Sequence, residues 1–176
     1  MSTSENILVN RVANSGLITI NLEDYYPQET FLTFDVKDFL FKELILKEKD
    51  FRAALKEHNW SQYENNVLLL YCSADAIIPV WAYMLVSAYA SPYASVIYMG
   101  KEASYVEQHY YKVIAEMDFS IYEGQRIVVK GCSTKPVPPS AYMAITKGLQ
   151  AHAQSIMYGE PCSTVPIFKR PRKLVK

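Results

Sequence analysis

A chain of 176 residues in which half the side chains are hydrophobic and a fifth are charged can bury a sizeable core, and this balance excludes a disordered or low-complexity tract. Net charge is zero, yet five of the 18 basic residues fall in the last eight, "KRPRKLVK", leaving 13 basic against 18 acidic groups before it. An acidic body with a short basic tail at 169–176 lacks the basic face that a nucleic-acid partner requires.

The start of the chain, "MSTSENILVNR", has no basic segment leading into an apolar one, as a secretory signal needs. Three widely spaced cysteines do not make a disulfide framework. The expectation is a cytoplasmic protein with reduced thiols. Next, "GLITINLEDYY" and "FLTFDVK" alternate like strands of a half-exposed hairpin, which predicts an N-terminal antiparallel addition followed by helix from about Val36.

From residue 45 the chain repeats itself. "WSQYENNVLLLYCSADAIIPVWAYM" (Trp60 to Met84) matches "FSIYEGQRIVVKGCSTKPVPPSAYM" (Phe119 to Met143). Ser61, Tyr63 and Glu64 pair with Ser120, Tyr122 and Glu123. Aligning Cys72-Ser73 with Cys132-Ser133 takes one inserted and one deleted residue. Pro79 then falls on Pro138, and Ala94, Ile97, Gly100 and Ser104 fall on Ala153, Ile156, Gly159 and Ser163.

Each copy reads helix, polar turn, apolar strand, Cys-Ser loop, proline-led helix and a second strand ending at glycine. Strand, helix, strand at this spacing is a βαβ crossover, which makes neighbouring strands parallel. The fold class is therefore α/β: a duplicated βαβ core with a mainly parallel sheet, in one domain over 1–168 with copies at about 45–104 and 105–163. The uncharged run from Ala76 to Gly100 is long enough to span a bilayer. Its counterpart carries Lys147 and His152, so buried strand and helix, and no membrane, is the better reading of both.

All three cysteines, Cys72, Cys132 and Cys162, precede a serine at a predicted strand end. In an open parallel sheet that edge is where ligands bind. Convergence there would suit zinc or an iron–sulfur cluster on three thiolates, with Ser73, Ser133 and Ser163 around the bound group and Asp75 as fourth ligand or acid/base. Against this stands the habit of free cysteine to pack as a small hydrophobe, and no pair has C-x-x-C spacing. A reactive thiol at a helix start is a third reading, although no base is evidently placed beside it. Asp75 and Lys135 read as a complementary pair of loop charges, and His58, His109 and His152 lie away from the cysteine edge. Nucleotide and hydrolase motifs are absent from the sequence.

The strings "NRVANSGLITINLEDYYP", "LILKEKDFRAALKEHNWSQY", "CSADAIIPVWAYM", "KGCSTKPVPPSAYM" and "SIMYGEPCSTVPIFKRPRK" resemble the family catalogued as domain of unknown function 2480, found in Bacteroidetes-type bacteria. The resemblance implies a soluble bacterial protein and assigns no catalytic residue. Two functions follow from the residues. One is a metal- or cluster-binding protein, in the manner of a small-molecule lyase or hydrolase; the other is a non-catalytic interaction protein or homodimer with packed cysteines.

Overall fold

The computed structural model describes residues 16–131, 134–160 and 162–171. It divides the chain into two compact units, one from 27 to 106 and one made of the segments on either side, up to 26 and from 107. We call these the inserted unit and the host unit, because the first interrupts the sequence of the second.

The inserted unit is a parallel sheet. Strand β2 (Phe31–Asp35) is followed by a 3-10 turn (Val36–Phe39), helix α1 (Glu48–Glu57), a second 3-10 turn (Trp60–Tyr63), β3 (Val67–Tyr71), α2 (Val80–Ala90) and β4 (Val96–Met99). The sheet order is β2-β3-β4, parallel throughout. Central β3 is buried from Val67 to Leu70, which is why its sequence runs apolar without alternation. Leu68 and Leu70 pack with Phe34, Phe51, Leu55, Ala82 and Val86, beneath α1 and α2. On the opposite face Phe31 and Tyr98 meet Tyr105 edge-on at 5.5 and 5.3 Å. Tyr105 belongs to the first turn of α3 (Glu102–Ala115), so that face is covered too.

The host unit begins with β1 (Leu17–Ile20) and a 3-10 turn (Leu22–Tyr25). It resumes in α3 and continues through a 3-10 turn (Phe119–Tyr122), β5 (Arg126–Val129), α4 (Pro139–Gln150), β6 (Ser155–Glu160) and β7 (Ser163–Lys169). The order is β1-β5-β6-β7; the first three strands are parallel and β7 is antiparallel to β6. Ile127, Val128 and Val129 are buried with Ile145, Leu149 and Ile156. The Tyr110 hydroxyl donates to the Leu22 carbonyl at 2.8 Å, and burial pushes its pKa up.

The repeat is therefore structural, and its register differs from the one the Cys-Ser dipeptides suggest. Trp60 and Phe119, Val67 and Arg126, Val80 and Pro139, and Val96 and Ser155 open equivalent elements, always 59 positions apart and with no gap. The left-handed residues follow the same spacing, Asn65 (φ 60) with Gly124 (φ 70). Cys72 thus corresponds to Gly131, Asp75 to Thr134, and Lys135 to Ala76, so the loop charges do not pair by symmetry.

The repeat also reaches further upstream than expected. Leu17 to Ile20 pairs with β5 as Phe31 to Phe34 pairs with β3. Each is capped by the next side chain, Asn21 accepting from Glu23 N–H (3.4 Å) and Asp35 from Lys37 N–H (2.9 Å). β1 and β2 do not form the expected hairpin: each joins a different sheet, in parallel. The antiparallel addition is at the other end, as β7. Helix is deferred from Val36 to Glu48, because the capped 3-10 turn ends at Leu40 with extended backbone.

The uncharged run from Ala76 to Gly100 resolves into the loop before α2, the helix itself and β4. Among the described residues no helix is long and apolar enough to cross a membrane.

One difference between the units is readable atom by atom. Trp60 stacks on Tyr89 of α2 at 5.6 Å; the equivalent pair is Phe119 and Gly148. A Cβ on Gly148 would stand 2.2 Å from the Phe119 ring. Mid-helix Gly→Ala normally gains up to about 1 kcal/mol, but overpacking costs about 1–3 kcal/mol. Gly148→Ala is therefore expected to destabilise the protein in urea unfolding, and Gly148→Ala with Phe119→Leu to recover most of the loss.

Candidate functional site: the carboxyl edges and the α4–β7 groove

The loops that leave β3 and β5 are each tied down by a carboxylate from the unit's first strand-turn. In the inserted unit Asp35 Oδ1 accepts the Ser73 N–H at 3.0 Å while also capping its own turn. Partial burial raises the Asp35 pKa, but bonds from Ser73 and Lys37 outweigh it and hold the group below its ordinary range. In the host unit Glu23 Oε1 accepts the Lys135 N–H at 2.6 Å, the Thr134 hydroxyl at 2.8 Å and the Thr134 N–H. These bonds, that of Lys135 foremost, lower the Glu23 pKa. The acid has moved two places between copies, from position 35 to the equivalent of position 37, yet it restrains the same loop.

The cysteines occupy less chemical places than their pattern suggests. Cys72 is half-buried, packs against the apolar cluster of the inserted unit and points its thiol at the Ala74 carbonyl, 3.7 Å away. Its equivalent, Gly131, leaves no room for a side chain: a Cβ there would lie 2.8 Å from the Tyr158 ring. Tyr158 donates to the Gly131 carbonyl at 3.2 Å, whereas the equivalent of Tyr158 is the slimmer Met99. Cys72 therefore stands where one copy has a tyrosine ring against bare backbone and the other has side chains on both residues.

Cys162 is exposed in the turn between β6 and β7, in the host unit. Ser163 opens β7 opposite Glu160, and Ser73 and Asp75 are exposed. Cys132 and Ser133 lie outside the described residues. Among the described residues no three His, Cys, Asp or Glu side chains gather to hold an ion.

The histidines serve structure. His58 lies beside Trp60 and within 3.1 Å of the Tyr63 hydroxyl, and burial lowers its pKa. His109 reaches the Tyr25 carbonyl at 2.9 Å, and His152 the Glu123 carboxylate at 2.9 Å.

A concavity in the host unit comes from β7. α4 covers β5 and β6, and β7 carries the sheet past the helix, so a groove runs between the helix flank and the sheet. Its volume is about 460 Å³. Val129, Ile156, Tyr158 and Ile167 line it from the strands; Tyr142, Met143, Thr146, Lys147 and Gln150 line it from α4. Tyr142 and Tyr158 meet edge-on at 5.7 Å. Lys147 is the one charged residue among those lining it. The hairpin is clamped at its far end by Arg170, whose guanidinium donates to the Gln150 and Ala151 carbonyls at 3.1 and 2.6 Å. The basic tail thus begins as structure, with Lys169 in β7 and Arg170 on the C-terminus of α4; residues 172–176 lie outside the described residues.

Sequence reasoning looks for a site at the cysteines and passes over this groove. The available signal is Lys147, a charge on α4 whose equivalent in α2 is Ala88.

The Glu23 contacts are testable by titration. Because its folded pKa is depressed, its contribution to stability is complete above its ordinary value of 4.5 and is lost as pH falls through the lowered value. The parent-minus-Glu23→Gln difference in stability should be flat above that point and shrink below it; a pH-independent difference contradicts the anchor.

Neither the curated proteins nor the solved structures hold a match to this chain. A family model does match, over residues 6–170, nearly the whole length. Its coverage takes in both units and the closing hairpin, and the chain belongs to the family described as "Protein of unknown function (DUF2480)".

Proposed function

We propose that the protein is a non-catalytic binding protein for a small amphipathic anion, held in the α4–β7 groove. The observation that carries this reading is the lining: apolar floor and walls, no acid, and Lys147 alone as a charge. A cavity of about 460 Å³ falls in the range of small-molecule sites, which are mostly apolar with a few polar groups to fix orientation. The exposed faces of Met143, Tyr158 and Ile167 take the apolar body. The Lys147 ammonium takes a carboxylate or phosphate head as a flexible point charge, with the Thr146 hydroxyl beside it, itself donating to Tyr142 O at 2.7 Å.

Contrast between the units supports the assignment. The inserted unit has Ala88 where the host unit has Lys147, and among the described residues its sheet has no strand beyond β4. Groove and charge therefore occur together, on one copy.

The competing function is zinc or an iron–sulfur cluster on Cys72, Cys132 and Cys162 with Asp75 beside it. It rests on the sequence pattern alone, and the 59-residue register removes the symmetry between Cys72 and Cys132 that motivated it. Elemental analysis of protein produced with zinc and iron supplied separates the two: near-stoichiometric metal, lost in the triple Cys→Ser variant, would move the function to the thiols.

Isothermal titration with decanoate, and with decyltrimethylammonium as the opposite charge, tests the groove. Decanoate is expected to bind once per chain and the cation not at all. Lys147→Met should weaken decanoate at least about tenfold, equivalent to about 1.4 kcal/mol. Equal binding of both amphiphiles, or no effect of the substitution, would overturn the proposal.

A further inference from the structure

The inserted unit carries an apolar surface that its own fold leaves open. α2, "VWAYMLVSAYA", has no charged residue, and a helix apolar on all sides is normally buried on all sides. Ala82, Val86 and Ala90 are buried, whereas Val80 is 73% and Met84 67% exposed. Ile77 in the preceding loop is 95% exposed and Met99 at the end of β4 is 65% exposed. The equivalents of Met84 and Met99 in the host unit, Met143 and Tyr158, line one groove, so these positions are neighbours on the fold.

The host unit shows what such a surface adjoins. Beside β6 lies β7, antiparallel; in the inserted unit no strand among the described residues takes the equivalent place beside β4. Edges meant for solvent are guarded by proline, lysine or a bulge. β7 has all three guards, in Pro166, Lys169 and a register shift opposite Ile156/Met157. β4, "VIYM", has none of them.

We infer that a second copy of this chain occupies that place: two β4 strands pair antiparallel across a two-fold axis, and the Ile77, Val80, Met84 and Met99 surfaces of both copies are covered together. An edge strand meeting its own copy is the simplest isologous contact, closing at two subunits. It needs no complementary charge, and this surface has none to offer. Covering the four side chains on both copies removes on the order of 1,000 Å², the size at which specific interfaces begin.

Sedimentation equilibrium of the full chain across a wide concentration range tests the inference, with amide hydrogen exchange as the second readout. The parent is expected at the mass of two chains. Met99→Lys and Met84→Lys should each shift it to one chain with the circular dichroism spectrum retained, while Ile121→Lys, at an exposed site of the host unit, should leave it dimeric. The outward-facing amides of β4, Ile97 and Met99, should gain protection as the dimer forms, because Tyr98 and Gly100 face β3. A parent at single-chain mass, a parent that assembles beyond two, or β4 amides whose protection does not follow concentration would each overturn the inference. So would a dimer that survives both substitutions.

Discussion

Each unit depends on one strand hydrogen-bonded along both edges and buried on both faces. Val67 to Leu70 and Ile127 to Val129 are buried, and each large apolar side chain so buried contributes about 1.5–3 kcal/mol relative to exposure. A strand in that position cannot be completed locally. It needs a parallel neighbour on either side, and parallel neighbours need crossovers. The second neighbour in each unit arrives through a helix, α2 or α4; the first comes from upstream, β2 or β1. For the host unit that means a partner from before the insertion, so β1 and β5 are joined across the entire inserted unit. The nested topology follows from the demand of a central strand for two partners.

Divergence between the copies is concentrated where the core is indifferent to it. Buried positions keep their character: Leu69 and Val128, Leu70 and Val129, Ala82 and Ala141, Val86 and Ile145. The carboxylate that restrains the loop after the central strand has changed its position: Asp35 holds the Ser73 amide near the start of that loop, and the longer Glu23 holds the Thr134 and Lys135 amides farther along it. The larger change is β7. By extending the sheet past α4 it creates the groove, and by carrying Pro166 and Lys169 it finishes the edge. One copy thereby gains a groove, and the other has an uncharged helix beside a strand that no described residue pairs on its outer edge. On the proposed reading these are two uses of the same structural position, for a small molecule in one case and a neighbouring chain in the other.

Much of this was legible in the sequence. The continuous apolar strands, the helices at "EKDFRAALKEHN" and "SYVEQHYYKVIAEM" and the βαβ grammar follow from periodicity and turn chemistry. The register was not, because an identical Cys-Ser dipeptide outweighs strands of interchangeable Val, Leu and Ile as an anchor, although only strand pairing sets which residues are equivalent. β1 and β2 hide their kinship for another reason: they share little beyond Thr19/Thr33 and Asp24/Asp38, and proximity in sequence favours a hairpin. The groove depends on β7, whose Pro166 and exposed residues read as loop, and on a helix flank whose lining is set by what lies beyond it. The cysteines attract attention because thiols are reactive, but Cys72 is held by volume, as its exchange with Gly131 beneath Tyr158 illustrates.

The central claim is that β7 turned one of two equivalent units into a binding site and left the other without one. Amide chemical-shift mapping with decanoate tests it most directly, since equivalent residues in the two units report side by side. The account predicts shifts gathered at Tyr142, Thr146, Lys147, Tyr158 and Ile167, with Tyr83, Ser87, Ala88 and Met99 unmoved. Shifts of similar size in both sets, or confined to the inserted unit, would contradict it.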